Sequence, residues 1–426
     1  MRQSESMEMW RSLGLDLEAH DGLLRVLGDA YKQIYLSQQN RPERMDYFNF
    51  VISEIHGLRV KELLDAREEG RKVIGSFCLY VPEELVLAVD GIAVGLCAGA
   101  DVGTEAAEKM LPRNTCALIK SFFGFKIAGL CPYTEACDLV IGETTCDGKK
   151  KAYEIFCQLK DTYVMEVPHT KSAAAMALWR SEIGRLAAKL EEVSGREITA
   201  ESLRAGIETV NAKRRALQRL NALRQANPAP ISGRDALLIN QIQFYDDPVR
   251  FTTKLHDLCD ELEERVKAGV GVVPADTPRV LVSGCPMAAP NWKLPYVIES
   301  SGAVIVGEES CVGERGTRNL VSDAGSTVDE LLDALADRYL QIDCAVFTPN
   351  PDRLRHITEM ARAYDAAGVV HYCLQFCTPY SMEATLVGRS LAEAGIPLLK
   401  LETDYSMEDV PQLQTRVQAF LEVLRQ

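Results

Sequence analysis

The sequence predicts an α/β protein of two Rossmann-like parallel-sheet lobes, with a helical N-terminal segment and a helical connector. Three observations carry this. Short apolar runs alternate with helical patterns in two separate stretches, as parallel strands covered on both faces do. Between them lies a long tract rich in Ala, Leu, Glu and Arg, with helical spacing and no strand signal. At 426 residues the chain is long enough for two or three domains.

Residues 1–70 form the N-terminal helical segment, because Phe50, Ile52, Ile55, Leu58, Val60, Leu63 and Leu64 recur at helical spacing between Asp46 and Gly70. The first lobe, 71–171, opens on the apolar run Lys72 to Cys78, a buried strand. Pro82, Glu83 and Glu84 then start a helix: proline suits a first turn, and the acids complement the positive helix end. Ile92 to Cys97, Asp138 to Cys146 and Tyr163 to Val167 are further strands. The connector, 172–273, is most clearly helical from Ser181 to Leu223. The prolines of Pro-Ala-Asp-Thr-Pro, Pro274 and Pro278, mark the boundary to the second lobe, 274–426. Its strands are Val280 to Cys285, Ala303 to Gly307, Gly368 to Leu374 and Ile396 to Leu401, and its last helix runs from Val410 to Leu424.

A net charge of −14 disfavours nucleic acid, since a phosphate binder normally presents a basic face. The first residues lack a basic region followed by an apolar run, and no tract of about 18 apolar residues occurs, so neither a secretory signal nor a membrane span is expected. The expected compartment is the cytoplasm. There thiols stay reduced, and 13 cysteines point to metal or catalysis rather than disulfides.

Their placement sharpens this. Cys78, Cys97 and Cys146 end strands of the first lobe, Cys285 ends one in the second, and Cys311 and Cys377 lie just past two more. In open α/β sheets ligands bind beyond the carboxyl ends of the strands, so facing edges would bring these thiols to one cleft. Free cysteine is also a common core residue, and that reading is preferred for Cys137, Cys157 and Cys259. Thiolates select zinc or iron–sulfur clusters. Zinc sites favour closely paired cysteines, and Cys373/Cys377 is the only such pair, so dispersed single cysteines fit a cluster better.

Three motifs resemble those of the 2-hydroxyacyl-CoA dehydratase and benzoyl-CoA reductase family. They are Leu111 to Ser121, where Cys116 is followed by Lys120-Ser121; Asp138 to Lys150, which contains Thr145-Cys146-Asp147; and Gln375-Phe376-Cys377 with the closing Gly395 to Tyr405. The resemblance runs from about Val73 onward. It implies that Cys116, Cys146 and Cys377 hold one [4Fe–4S] cubane, charged by a separate ATP-hydrolysing activator that carries its own cluster. The chain shows no phosphate-loop motif of its own, in keeping with nucleotide being used by that partner. Cys78, Cys285 and Cys311 are additional, and this pattern resembles the double-cubane proteins of the same superfamily. The resemblance then implies an [8Fe–9S] centre, with Cys116, Cys146 and Cys377 on one half and Cys78, Cys285 and Cys311 on the other. Cys97, Cys131 and Cys344 remain open as replacements in the second trio. A homodimer is implied by the same similarity.

The expected function is activator-coupled, low-potential reduction of a small unsaturated molecule. A dehydratase subunit with a single cubane and a non-enzymatic electron carrier are the alternatives. No catalytic side chain is assigned. Glu83 and Glu84 read first as solvated dipole partners and second as proton donors. His169 and His371 are candidate proton donors, although His371 sits in a strand pattern typical of the core. Lys120, Lys149 and Lys150 could offset cluster charge. Gly313, Arg315, Gly316 and Arg318 follow Cys311 in a loop suited to tuning cluster sulfurs.

Overall fold

A computed structural model describes residues 3–425. The described residues contain eight strands: β1 (Val73–Ser76), β2 (Ile92–Gly95), β3 (Leu139–Glu143), β4 (Thr162–Met165), β5 (Arg279–Gly284), β6 (Val304–Glu309), β7 (Gly368–Leu374) and β8 (Leu398–Thr403). They form two parallel sheets of four strands, ordered β2-β1-β3-β4 and β6-β5-β7-β8. The sheets are thus wound alike, each reversing direction beside its first strand. Strands read as continuous apolar runs because helices cover both faces: the central β3, β5 and β7 and the edge strand β6 are buried at every residue.

Several expectations shift in detail. The helical tract from Asp46 to Gly70 is two helices, Met45–Ser53 and Leu58–Glu68, broken before Gly57. Glycine is a poor helix former, so the break comes there at little cost. Pro82 caps the helix Glu83–Ala88 from outside rather than sitting in its first turn. The strands of the first lobe also stop short of their cysteines, leaving Cys78, Cys97 and Cys146 in the loops that follow. The final helix is Val410–Leu424, as predicted.

The connector ties the lobes together. Helix Ala200–Leu223 packs on Glu83–Ala88 and on Pro248–Lys267, while Ala173–Ser194 packs on Val328–Leu340 of the second lobe. Just past the first of these, Arg224 forms a fully buried double ion pair with Glu308 of β6. One apolar core runs through both sheets, including Val140 of β3 and Val282 of β5. Among the described residues no helix is long and apolar enough to cross a membrane.

Candidate functional site

The equivalent winding of the sheets delivers cysteines in pairs. Cys78 and Cys285 follow the first strands, Cys97 and Cys311 the second, Cys146 and Cys377 the third. All six line one cavity of about 140 Å3 between the sheet edges, together with Cys116 and Cys344. That is roughly ten times the space one water needs. The six sequence-predicted residues, Cys78, Cys116, Cys146, Cys285, Cys311 and Cys377, are therefore brought together.

Helix ends position three of them. Cys116, Cys146 and Cys377 are the N-cap residues of Ala117–Ile127, Asp147–Phe156 and Thr378–Glu393. A helix N-terminus carries partial positive charge and unpaired N–H groups, so it favours a thiolate. The Lys149 amide donates to Cys146 Sγ at 3.4 Å, and the Leu374 amide donates to Cys285 Sγ at 3.3 Å.

The thiols fall into two neighbourhoods. Cys377 lies within hydrogen-bonding reach of both Cys116 and Cys285, and Cys146 feels the charge of Cys116. On the other side Cys78 neighbours Cys311, whose charge is felt in turn by Cys344. Cys285 thus sits with the first trio, and Cys344 takes a place beside Cys78 and Cys311. Cys97 also lines the cavity, but its thiol donates to the Phe77 carbonyl at 2.8 Å.

Two buried cations serve these thiols. Arg315 Nη1 lies 3.3 Å from Cys311 Sγ and also donates to the Tyr380 hydroxyl. The neighbouring Cys78, followed by Arg315, draws the Cys311 thiol down. Lys149 is buried, bonds the Phe77 carbonyl at 3.2 Å and lines the cavity. Burial pushes the Cys97 thiol up to about 12 and the Cys344 thiol up to about 11. A bound metal inverts that preference, because it deprotonates a coordinating thiol outright.

Glu143, at the end of β3, accepts from the Cys78 amide at 3.1 Å and the Phe77 amide at 3.3 Å, and burial pushes its carboxyl up to about 7. Sequence reasoning passed over it. Its one signal was a lone acid at the carboxyl end of an apolar strand. Glu309, at the end of β6, is shared by the buried Arg315 and Arg353, an arrangement that only long-range contacts create.

Other candidates are placed differently. Glu84 is 0 % exposed and pairs with Arg214 at 2.7 Å, so it is not the solvated acid expected from its helix start. Burial among apolar helices costs a lone carboxylate too much, and the guanidinium supplies the compensation. His371 is buried in β7 and held neutral, down to about 4, by burial, while His169 is exposed and away from the cavity. Lys120 pairs with Glu108, and Lys150 is exposed beside Asp147. Cys137 and Cys259 are buried core residues, but Cys157, expected in the core, is exposed at the end of its helix. Cys373 is buried outside the cavity, and Cys131 lines a different one.

The donor set fits an iron–sulfur group. The cavity wall offers eight thiols and no histidine or carboxylate, the choice of a soft metal. Among the described residues no three His, Cys, Asp or Glu side chains converge closely enough for one ion. Thiols spread around a wall instead suit a cluster in which each iron takes one thiolate.

The profile of the family 2-hydroxyglutaryl-CoA dehydratase, D-component, matches residues 78–424. “Putative dehydratase subunit YjiM” of Escherichia coli (strain K12) is 39% identical over 365 residues, 85% of this chain and 94% of its own length. The (R)-phenyllactyl-CoA dehydratase beta subunit of Clostridium sporogenes is 27% identical, covering 84% of this chain and 93% of its own. A benzoyl-CoA reductase subunit of Thauera aromatica is 25% identical over 79% of this chain and 86% of its own.

Proposed function

Since the chain belongs to the 2-hydroxyglutaryl-CoA dehydratase D-component family, we propose that it is an activator-coupled iron–sulfur reductase holding a double-cubane [8Fe–9S] centre in the thiol-lined cavity. The carrying observation is the gathering of eight cysteines, contributed by both sheets, around one space. Cys116, Cys146 and Cys377 would hold one half at three helix N-termini. Cys78, Cys285 and Cys311 would hold the other, with Cys344 able to replace Cys285, which lies against Cys377. The bound group supplies low-potential electrons to a small unsaturated molecule, and a separate ATP-hydrolysing activator supplies them to it.

The chain's own residues prepare that chemistry. Arg315 and Lys149 offset thiolate charge from two sides. The Lys149 and Leu374 amides donate to sulfur, a standard means of raising a potential. Leu118, Ile119, Phe244 and Val312 exclude water. Glu143, with a carboxyl poised near neutrality, holds a proton at the Cys78 side, and Tyr153 hydrogen-bonds it at 3.4 Å. The assembly expected with this reading is a homodimer.

The names of the relatives favour a second reading, a dehydratase subunit, for which the family resemblance implies one cubane. Anaerobic purification with iron and acid-labile sulfide assays and EPR separates the two. About eight irons per chain supports the double cubane, about four supports the single one, and none overturns both. Tight acyl-CoA binding that perturbs the EPR signal would favour the dehydratase.

A further inference from the structure

A second cavity, of about 420 Å3, lies beneath the N-terminal helices, walled by the first lobe, by Tyr245 of the connector and by Ala289, Pro290 and Trp292 of the second lobe. Its volume falls within the range of small-molecule pockets. Leu24, Leu27, Ile52, Phe125 and Trp292 give it apolar walls, and the exposed Gly28 and Leu36 stand at its mouth. Its inner end adjoins the thiol-lined space, since Gly95, Cys97, Tyr245 and Ala289 line both cavities.

Tyr245 at this neck is the decisive residue. It is 5 % exposed, and its buried hydroxyl has no hydrogen-bond partner in the protein. Leaving such a group unpaired costs about 1–3 kcal/mol, so an orphaned hydroxyl on a residue that lines two cavities calls for a ligand. Burial also holds it protonated, far above the usual tyrosine range, which keeps it a donor. The other polar groups along the wall are already engaged. Asn49 accepts from Arg41, Tyr133 donates to the Ile55 carbonyl, and the His56 ring is bonded to His20.

We propose that this chamber admits a small, mainly apolar molecule bearing one hydrogen-bond acceptor, and that the Tyr245 hydroxyl holds the acceptor at the neck beside Cys97. The chamber is the route by which such a molecule reaches the thiol-lined cavity. This rests on the function proposed above for the reaction that follows, but not for binding.

The test uses anaerobically purified protein and benzonitrile, whose C≡N stretch rises in frequency when the nitrogen accepts a hydrogen bond. The wild type should bind it with a hydrogen-bonded band. Tyr245→Phe should keep binding and lose the frequency rise. Ala98→Leu, which fills the chamber from its buried wall, and Gly28→Trp, which covers its mouth, should weaken binding. Absence of binding in the wild type, an identical band in Tyr245→Phe, or undiminished binding in both filling variants overturns the proposal. Iron content, measured on the same samples, reports separately on the function. Nitrile binding with no iron would leave the chamber standing while removing the cluster.

Discussion

Gly284 turns the chain from β5 into Cys285 with φ at 127°, and a Cβ there would meet the Tyr372 carbonyl oxygen at 2.0 Å. Neither the dihedral nor the space admits another residue. Gly284→Ala should therefore cost roughly 2 kcal/mol or more and displace Cys285. Denaturant unfolding and iron content read the two effects. The turn before Cys377 is similarly held, with Phe376 in the left-handed region at φ 63°. Glu309 is the most consequential acid near the cavity, since it faces Arg315 and Arg353, all three at 0 % side-chain exposure. Glu309→Ala would leave the buried Arg315 without a carboxylate and Arg353 with Glu383 alone, and a loss of about 3–5 kcal/mol is expected in thermal or urea unfolding. A shift below about 1 kcal/mol would mean that water or Glu383 takes over the pairing.

Helix ends and strand ends do the positioning at the next scale. Three cysteines share the N-cap position, although each belongs to a different helix. The first helices carry a pH response of their own. His20 Nε2 meets His56 Nδ1 at 2.9 Å, with Trp10 edge-on to His20. Burial holds His20 down at about 4 and His56 at about 3. Unfolded histidine takes up its proton near 6.5, so between these values the unfolded chain binds more protons than the folded one. The stabilisation is complete above about pH 6.5 and falls as the pH drops toward 4, by roughly 3 kcal/mol for His20 alone. Urea unfolding followed by tryptophan fluorescence should show an earlier midpoint near pH 5 than near pH 7. His20→Gln should flatten that difference.

At the scale of the molecule, one core crosses both sheets and the connector helices brace them. The cavity wall is drawn from both lobes, so a group bound there links them. Its removal by chelation should lower the melting temperature of the whole chain in one transition. A change confined to one of two separate transitions would show that the lobes hold it unequally. Much of this arrangement was legible beforehand. Apolar runs marked all eight strands, and the strand-end placement of Cys78, Cys146, Cys285 and Cys377 placed them at one cleft. Cys344 was harder to place, because it lies in a loop after helix Val328–Leu340 with no strand to mark it. Glu84 was misjudged for a like reason: its partner Arg214 lies far along the chain, in the connector helix Ala200–Leu223.

What the sequence by itself determined is the parallel α/β class, the order of elements and the thiol-rich character of the site. Those follow from local periodicity and residue chemistry, which each segment carries in itself. Only the tertiary structure decided which thiols are neighbours, that Arg315 and Lys149 are the cations beside them, and that Tyr245 stands between two cavities. Such facts depend on how two separately wound sheets face one another, and burial against a distant partner leaves no periodic trace along the chain.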